Sequence, residues 1–377
     1  MEQLYIKLRP YIFISIFTLI SSFLVWLPFI QQLSFLGVHI QNTDTGHIYR
    51  HYDGLLYVIA AKAWYDPRIL SQLSIDTPLS PAYYAAHLPL YPGAIRLVAL
   101  TGLDYVKSMM VVTLLSSLAL GWVFYAFIRA FQLTKAPLFL TFVFLMFPRL
   151  LVVRSIGAPE PMFMALVIGA LWMYERRRFA AAGVIGALAV MAKLPGILLV
   201  PAFGLAVLEH IRTTRKIQRT WLFLLLPLGG LLAVCALYAQ QYGDFFAYWN
   251  SGYVVPMLYP FAAFNMQARW VGTAWLEDVL LYFALYISAA VALGAHHLRS
   301  IFYFAAVFVV ATTFVQHRDI SRYLLPVWPF VCIAFERYLT GKKARLVYLF
   351  LIPAVYLYTW NFMQENVMPV SNWAPFF

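Results

Sequence analysis

Charge is scarce in this 377-residue chain: 11% of its residues are Asp, Glu, Lys or Arg, and only 15 are acidic. A soluble domain carries about 25% charged residues, because its surface must face water. With 63% hydrophobic residues and a mean hydropathy of +0.76, the chain would expose apolar surface in any soluble fold, so lipid must cover it. Cysteine is almost absent. Cys235 and Cys332 both lie inside apolar segments, which gives no support to a disulfide framework or a metal cluster. The sequence also lacks internal repeats, low-complexity tracts, polar linkers and matching halves of the inverted-repeat type found in transporters. One compact membrane domain, residues 1–377, is expected.

Aromatic residues (18%) and basic residues (27 Lys and Arg, net charge +12) are plentiful. Trp and Tyr collect at membrane interfaces. The basic residues sit in short clusters between apolar runs, with no aromatic-interleaved stripe, so nucleic acid is not an expected partner. The apolar run that follows Met1–Pro10 is too long for a signal peptide and lacks a small-residue cleavage site; it reads as a retained first span.

Crossing a bilayer takes about 20 apolar residues in a helix. The apolar runs predict an all-α polytopic protein of about eleven spans, near 10–30, 106–128, 136–153, 159–174, 179–195, 196–211, 220–240, 274–294, 300–316, 320–336 and 346–362. A short extra helix at 88–101 dips into the membrane. With the N-terminus in the cytoplasm, strict alternation puts every multi-basic loop on the cytoplasmic side: Arg129 and Lys135, Arg176–Arg178, Arg212–Arg219, Arg299 and Arg337–Arg345. That obeys the positive-inside rule. These loops read as topology anchors, too short to build a pocket. The opposite face receives the first outer loop (31–105), a second at 241–272, and the acids Asp44, Asp53, Asp66, Asp76, Asp104, Glu160, Asp244 and Asp319. Chemistry is expected there.

Three stretches on that face carry candidate groups. The first, His47-Ile-Tyr-Arg-His-Tyr-Asp53 through Lys62, reads as an amphipathic helix lying along the interface. It holds Asp53 near Arg50 and two histidines, where a partly dry carboxylate suits a general base; alternatively Asp53 simply pairs with Arg50. The second, Tyr83-Tyr-Ala-Ala-His87-Leu-Pro-Leu-Tyr91-Pro92, re-enters the membrane and holds His87 and Tyr91 at its surface. The third, His317-Arg318-Asp319-Ile-Ser-Arg322-Tyr-Leu-Leu-Pro326, is a short loop at headgroup depth. An arginine that begins a span needs an anionic partner, carbonyls or water, and its planar fork suits phosphate. Asp319 is the internal alternative, as partner of Arg318 or Arg322.

Taken together these stretches resemble the GT-C superfamily of membrane glycosyltransferases. The likeness is strongest to the family that adds the second mannose of GPI anchors (PIG-V type) and its prokaryotic relatives. His51-Tyr-Asp53-Gly-Leu-Leu-Tyr57 is similar to that family's aromatic-Asp helix, with Tyr52 where Trp is typical. His87-Leu-Pro-Leu-Tyr-Pro92, Gly157-Ala-Pro-Glu160, the run ending at Lys193-Leu-Pro-Gly (Lys for Arg) and Arg322-Tyr-Leu-Leu-Pro326 follow in the family's order.

The resemblance implies transfer of a sugar, mannose above all, from a polyprenyl-phosphate donor to a hydroxyl of a lipid or glycan acceptor on the extracytoplasmic face. Asp53 then takes the acceptor's proton. Arg322, Arg318, His87 and Lys62 bind the donor phosphate. Tyr57, Tyr91, Trp64 and Arg50 contact sugar or acceptor, and Asp44 is a second base or a metal ligand beside Asp53. No cofactor is expected, and no cluster demands a metal. A membrane transporter or lipid flippase is the alternative, with Glu277, Asp278 and Lys193 as its candidate charges.

Overall fold

The computed structural model describes the chain except for residues 1, 41–44, 74–75, 77–78, 253–256, 267–270 and 366. Asp44 thus lies outside the described residues. The chain is helical almost throughout; the strands described are a two-residue ribbon, Ser34–Phe35 against Val38–His39.

Six helices are long and apolar enough to cross a membrane: Leu8–Gln31, Tyr105–Ala130, Leu194–Thr214, Arg219–Tyr242, Ala274–Leu293 and Lys342–Gln364. The polytopic helical class is borne out. The other expected spans are shorter or broken helices: Pro137–Leu145 with Pro148–Val153, Glu160–Glu175, Phe179–Ala192, Arg299–Thr313 and Ile320–Ala334. Tyr105–Ala130 shows how such an element is specified. Asp104 caps it by accepting from the Lys107 backbone N–H at 2.7 Å, and from there to Arg129 no charge interrupts it. It is the innermost span, with 56% of its apolar window buried in protein, whereas Lys342–Gln364 has 17% buried and leaves the rest for lipid.

A fully buried arginine fastens the first span to the rest. Arg154 donates to Thr18 O, Ser21 Oγ, Ser22 Oγ and Leu145 O at 2.6–3.2 Å. Its partners are carbonyls and hydroxyls, which suffice to satisfy a guanidinium where water is excluded.

The segment expected to be an interfacial amphipathic helix differs from that reading. It is two helices, Gly46–Tyr49 and Gly54–Ala63, interrupted at His51–Asp53, where Tyr52 takes a left-handed φ of 50°. In Gly54–Ala63 every residue but Lys62 is buried, and the helix packs between Leu90–Ala99 and Tyr105–Ala130. A helix apolar all round belongs inside protein, not on an interface. Gly54 makes this depth accessible: a Cβ there would sit 3.1 Å from Tyr49 O and 3.2 Å from Gly157 O. Asp53 is thereby brought close to the turn that precedes Glu160.

The chain beyond Gln364 runs back over this segment. Met368 N–H donates to Arg50 O at 2.8 Å, Ser371 hydrogen-bonds Asp76, and Lys62 Nζ donates to Pro375 O at 2.8 Å.

Candidate active site

A cavity of 650 Å³ opens at the end of the bundle that carries these segments. Its wall brings together Asp53, Arg318 and Arg322, three of the residues singled out in the sequence, with Tyr52, Tyr83, Arg149, Lys193, His317, Asp319 and Phe362. The left-handed turn at Tyr52 decides this geometry. It ends one helix and restarts another at Gly54, so that Asp53 stands at the second helix's N-cap and faces the cavity rather than lipid. The Tyr52 ring is clamped on two sides: the Arg322 guanidinium lies 4.4 Å over its centroid, and Arg149 Nη1 donates to its hydroxyl at 2.6 Å. Such clamping holds a backbone conformation that a non-glycine residue rarely adopts.

Arg322 is held from beneath by Glu160. This carboxylate is buried, and its Oε1 lies 2.6 Å from both Arg322 Nε and Lys193 Nζ. Within this trio one acid faces two cations, so Glu160 cannot neutralise both. Asp319 pairs with neither neighbour as first choice. Arg149 Nη2 meets its Oδ1 at 2.7 Å, while Arg322 Nη1 is 4.0 Å from Oδ2. Arg149 also donates to Ser321 Oγ at 3.1 Å and lies 4.1 Å over the Phe362 ring. Arg318 is exposed, and its carbonyl accepts from Trp275 Nε1 at 3.0 Å.

His317 adds a polar group whose tautomer the backbone fixes. Asp319 N–H donates to His317 Nδ1 at 3.0 Å, so the neutral ring carries its proton on Nε2. Burial holds its pKa below the usual histidine value, with Asp319 pulling the other way. A neutral His317 is therefore a hydrogen-bond donor at Nε2.

The remaining candidates stand elsewhere. His87 is buried behind the wall, edge-on to Tyr57 at 4.8 Å and tilted against Tyr83 at 5.9 Å. Burial lowers its pKa, with the nearby charge of Asp53 acting the other way. Tyr57 is edge-on to Tyr91 at 5.1 Å, and Tyr91 bonds Thr113 Oγ1 at 2.5 Å, so this trio supports Asp53's helix from behind. Arg50 turns to His47 Nδ1 at 2.9 Å rather than pairing with Asp53. Trp64 packs near Gly93 and under Arg96, and Lys62 reaches the C-terminal segment. None of these lines the cavity.

The sequence reading gave Glu160 and Arg149 no role at the site, and Lys193 only that of a candidate charge in a transporter. A signal existed: Glu160 is the lone acid in the first four turns of an otherwise apolar helix, the kind of position where an ionisable group needs a reason. Among the described residues, no group of three or more His, Cys, Asp or Glu is placed to hold a metal.

The opposite end of the bundle was expected to lack a pocket. It has one, of 320 Å³, between the ends of Glu160–Glu175, Leu199–Thr214 and the turn before Arg299. Helix ends packing at different depths leave this gap without any long loop. Its acids are matched, Glu209 to Arg299 at 2.8 Å and Glu175 to the N–H and hydroxyl of Ser300.

The chain aligns along 98% of its length with the crystal structure of the Archaeoglobus fulgidus oligosaccharyltransferase in its apo form, at a TM-score of 0.57 and 11% identity. It shares that membrane fold. The same holds for the A. fulgidus enzyme tethered to an acceptor peptide (96% of this chain, TM-score 0.50, 13% identity) and for its complex with an inhibitory peptide and a dolichol-phosphate (96%, 0.51, 11%). The chain spans 56–57% of the length of these proteins. Residues 90–257 match the model of Glycosyltransferase family 87. No curated protein matches the chain. Glu160, Lys193 and Arg149 fall inside the matched segment, and Asp53, Arg318 and Arg322 outside it.

Proposed function

We propose that this chain is a membrane glycosyltransferase that moves a sugar, mannose in the first instance, from a polyprenyl-phosphate donor to a hydroxyl of a lipid or glycan acceptor. The observation that carries the reading is the meeting of Asp53, an acid that pairs with no arginine or lysine among the described salt bridges, with Arg318, Arg322 and Lys193 around a single 650 Å³ cavity. The family 87 match and the fold shared with a protein that binds dolichol-phosphate support the same class. The site belongs to the extracytoplasmic face, because the opposite end carries the multi-basic loops.

In this mechanism the acceptor hydroxyl attacks the anomeric carbon while Asp53 takes its proton. The bond from that carbon to the donor phosphate oxygen breaks, and its electron pair stays on the phosphate. The phosphate thus gains one negative charge as the sugar leaves. Arg322, Arg318 and Lys193 stabilise that charge where it develops, the setting in which fixed cations lower a barrier most. His317 Nε2–H adds a hydrogen bond to sugar or phosphate oxygen. Tyr83 offers a ring face to the sugar. Asp53→Asn keeps the shape and removes the base. Purified protein given labelled polyprenyl-phosphate mannose and a panel of lipid and glycan acceptors should lose at least ~10²-fold in turnover with this substitution. Equal turnover by the variant would remove Asp53 from the mechanism, and no turnover by the wild type with any lipid-phosphate sugar would remove the donor class.

A further inference from the structure

The segment between the spans Arg219–Tyr242 and Ala274–Leu293 has a composition unlike that of a loop in water. Residues 243–272 contain two charged side chains, Asp244 and Arg269, and nine aromatic ones. Asp244 itself is spent locally, accepting from Phe246 N–H at 2.8 Å and Asn250 Nδ2 at 2.7 Å. The inner side of the segment is packed. Ala247 and Tyr248 join a cluster with Tyr65 and Tyr238, Ala263 and Phe264 pack on Val279, Phe283 and Ile320, and Met257 N–H donates to Phe314 O at 2.7 Å. Its outer side is bare. Phe246 is 58% exposed, Phe261 48%, Trp249 39% and Leu258 fully so.

Exposed apolar side chains of this size, gathered on one segment, mark an interaction surface. Two membrane spans fix where that surface lies. Both ends of the segment leave the bilayer at the same face, so its bare side starts at headgroup depth. Aromatic rings are most stable at that level, and a segment with nine aromatic residues and a single basic one fits a hydrocarbon boundary better than an anionic partner. Each Phe or Leu side chain moved out of water adds to the hold, so three or four such groups keep the segment in place. We propose that Phe246, Trp249, Leu258 and Phe261 form an interfacial wedge whose side chains seat in the leaflet on the cavity's side. Gly252, from the same segment, lines the cavity, so the wedge sets the cavity mouth at the depth of lipid headgroups. The wedge follows from the membrane fold and does not depend on which reaction the cavity catalyses.

The test is depth-dependent fluorescence quenching of the full chain in phosphatidylcholine vesicles. Lipids brominated near the top of the acyl chain are compared with lipids brominated near its end and with aqueous acrylamide. The wild-type minus Trp249→Phe difference isolates one of the 11 tryptophans. Phe246→Trp adds a second reporter should the first variant be poorly folded. The expected result is that both reporters are quenched several-fold more by upper-chain bromine than by deep bromine, and little by acrylamide. Quenching by acrylamide alone would put the segment in water and overturn the proposal. Quenching by neither would mean that protein, a second copy included, covers it, and would overturn the lipid as occupant. No outcome depends on turnover, so the wedge and the proposed reaction stand or fall separately.

Discussion

Glu160 Oε1 and Arg322 Nε lie 2.6 Å apart, although 162 residues separate them in the chain. The same oxygen is 2.6 Å from Lys193 Nζ, so one buried carboxylate sets the position of two cations on the cavity wall. It does so without neutralising both. Arg322 also stacks on Tyr52, whose left-handed turn presents Asp53. Asp53 and the cations of the cavity wall are thus referred to one another through Glu160 and Tyr52.

Glu160→Gln is therefore expected to lower kcat by about 10²-fold, with the Tm shifted by only a few degrees, because volume and one hydrogen bond survive while Arg322 and Lys193 repel each other. Glu160→Ala is expected to cost about 3–5 kcal/mol of stability, because it leaves two cations without their shared buried partner. Turnover assays beside thermal unfolding separate the two effects. Wild-type turnover in the Gln variant would show that Arg322 needs no such brace.

Acid sensitivity should trace partly to His51. This residue stands outside the spans, is fully buried, and has its pKa brought down to about 3, first by burial and then by the charges of Arg322 and Arg149. An unfolded chain protonates it near pH 6.5. Between pH 6.5 and about 3 the unfolded state binds the extra proton, so His51's contribution to stability is complete above pH 6.5 and is lost as pH falls through that window. His51→Phe should flatten the decline of Tm between pH 7 and pH 5 while leaving the pH 7 value within a few degrees. An unchanged slope would assign the sensitivity to other groups.

Lys62, read from the sequence as a phosphate ligand, bonds Pro375 O and the last residue instead. Lys62→Met is expected to leave the donor KM within about twofold, because a residue outside the cavity makes no contact that changes along the reaction. Cleavage of the 365–377 segment by a limiting protease should speed up. A large rise in donor KM would return Lys62 to the site.

Some of this protein needed no tertiary structure to read. Long apolar runs with charge confined to their ends have one stable environment, a bilayer, and the one-sided placement of acids already separated a chemical end from an anchoring end. Asp53, Arg318 and Arg322 stood out because charged groups near headgroup depth are costly to keep. Partnership was beyond reach. Arg149 with Asp319, and Glu160 with Lys193 and Arg322, join segments 33 to 170 residues apart in the chain, and no local spacing encodes such meetings. Local pattern also misled at 47–63. Periodicity there suited a helix on the interface, but only packing between two neighbours decides that an apolar helix lies inside, and only the turn at Tyr52, held by two arginines from distant helices, decides where Asp53 points. The sequence alone thus determined the membrane, because apolar runs of that length have no other stable environment; the tertiary fold decided which of its scattered charges share a cavity.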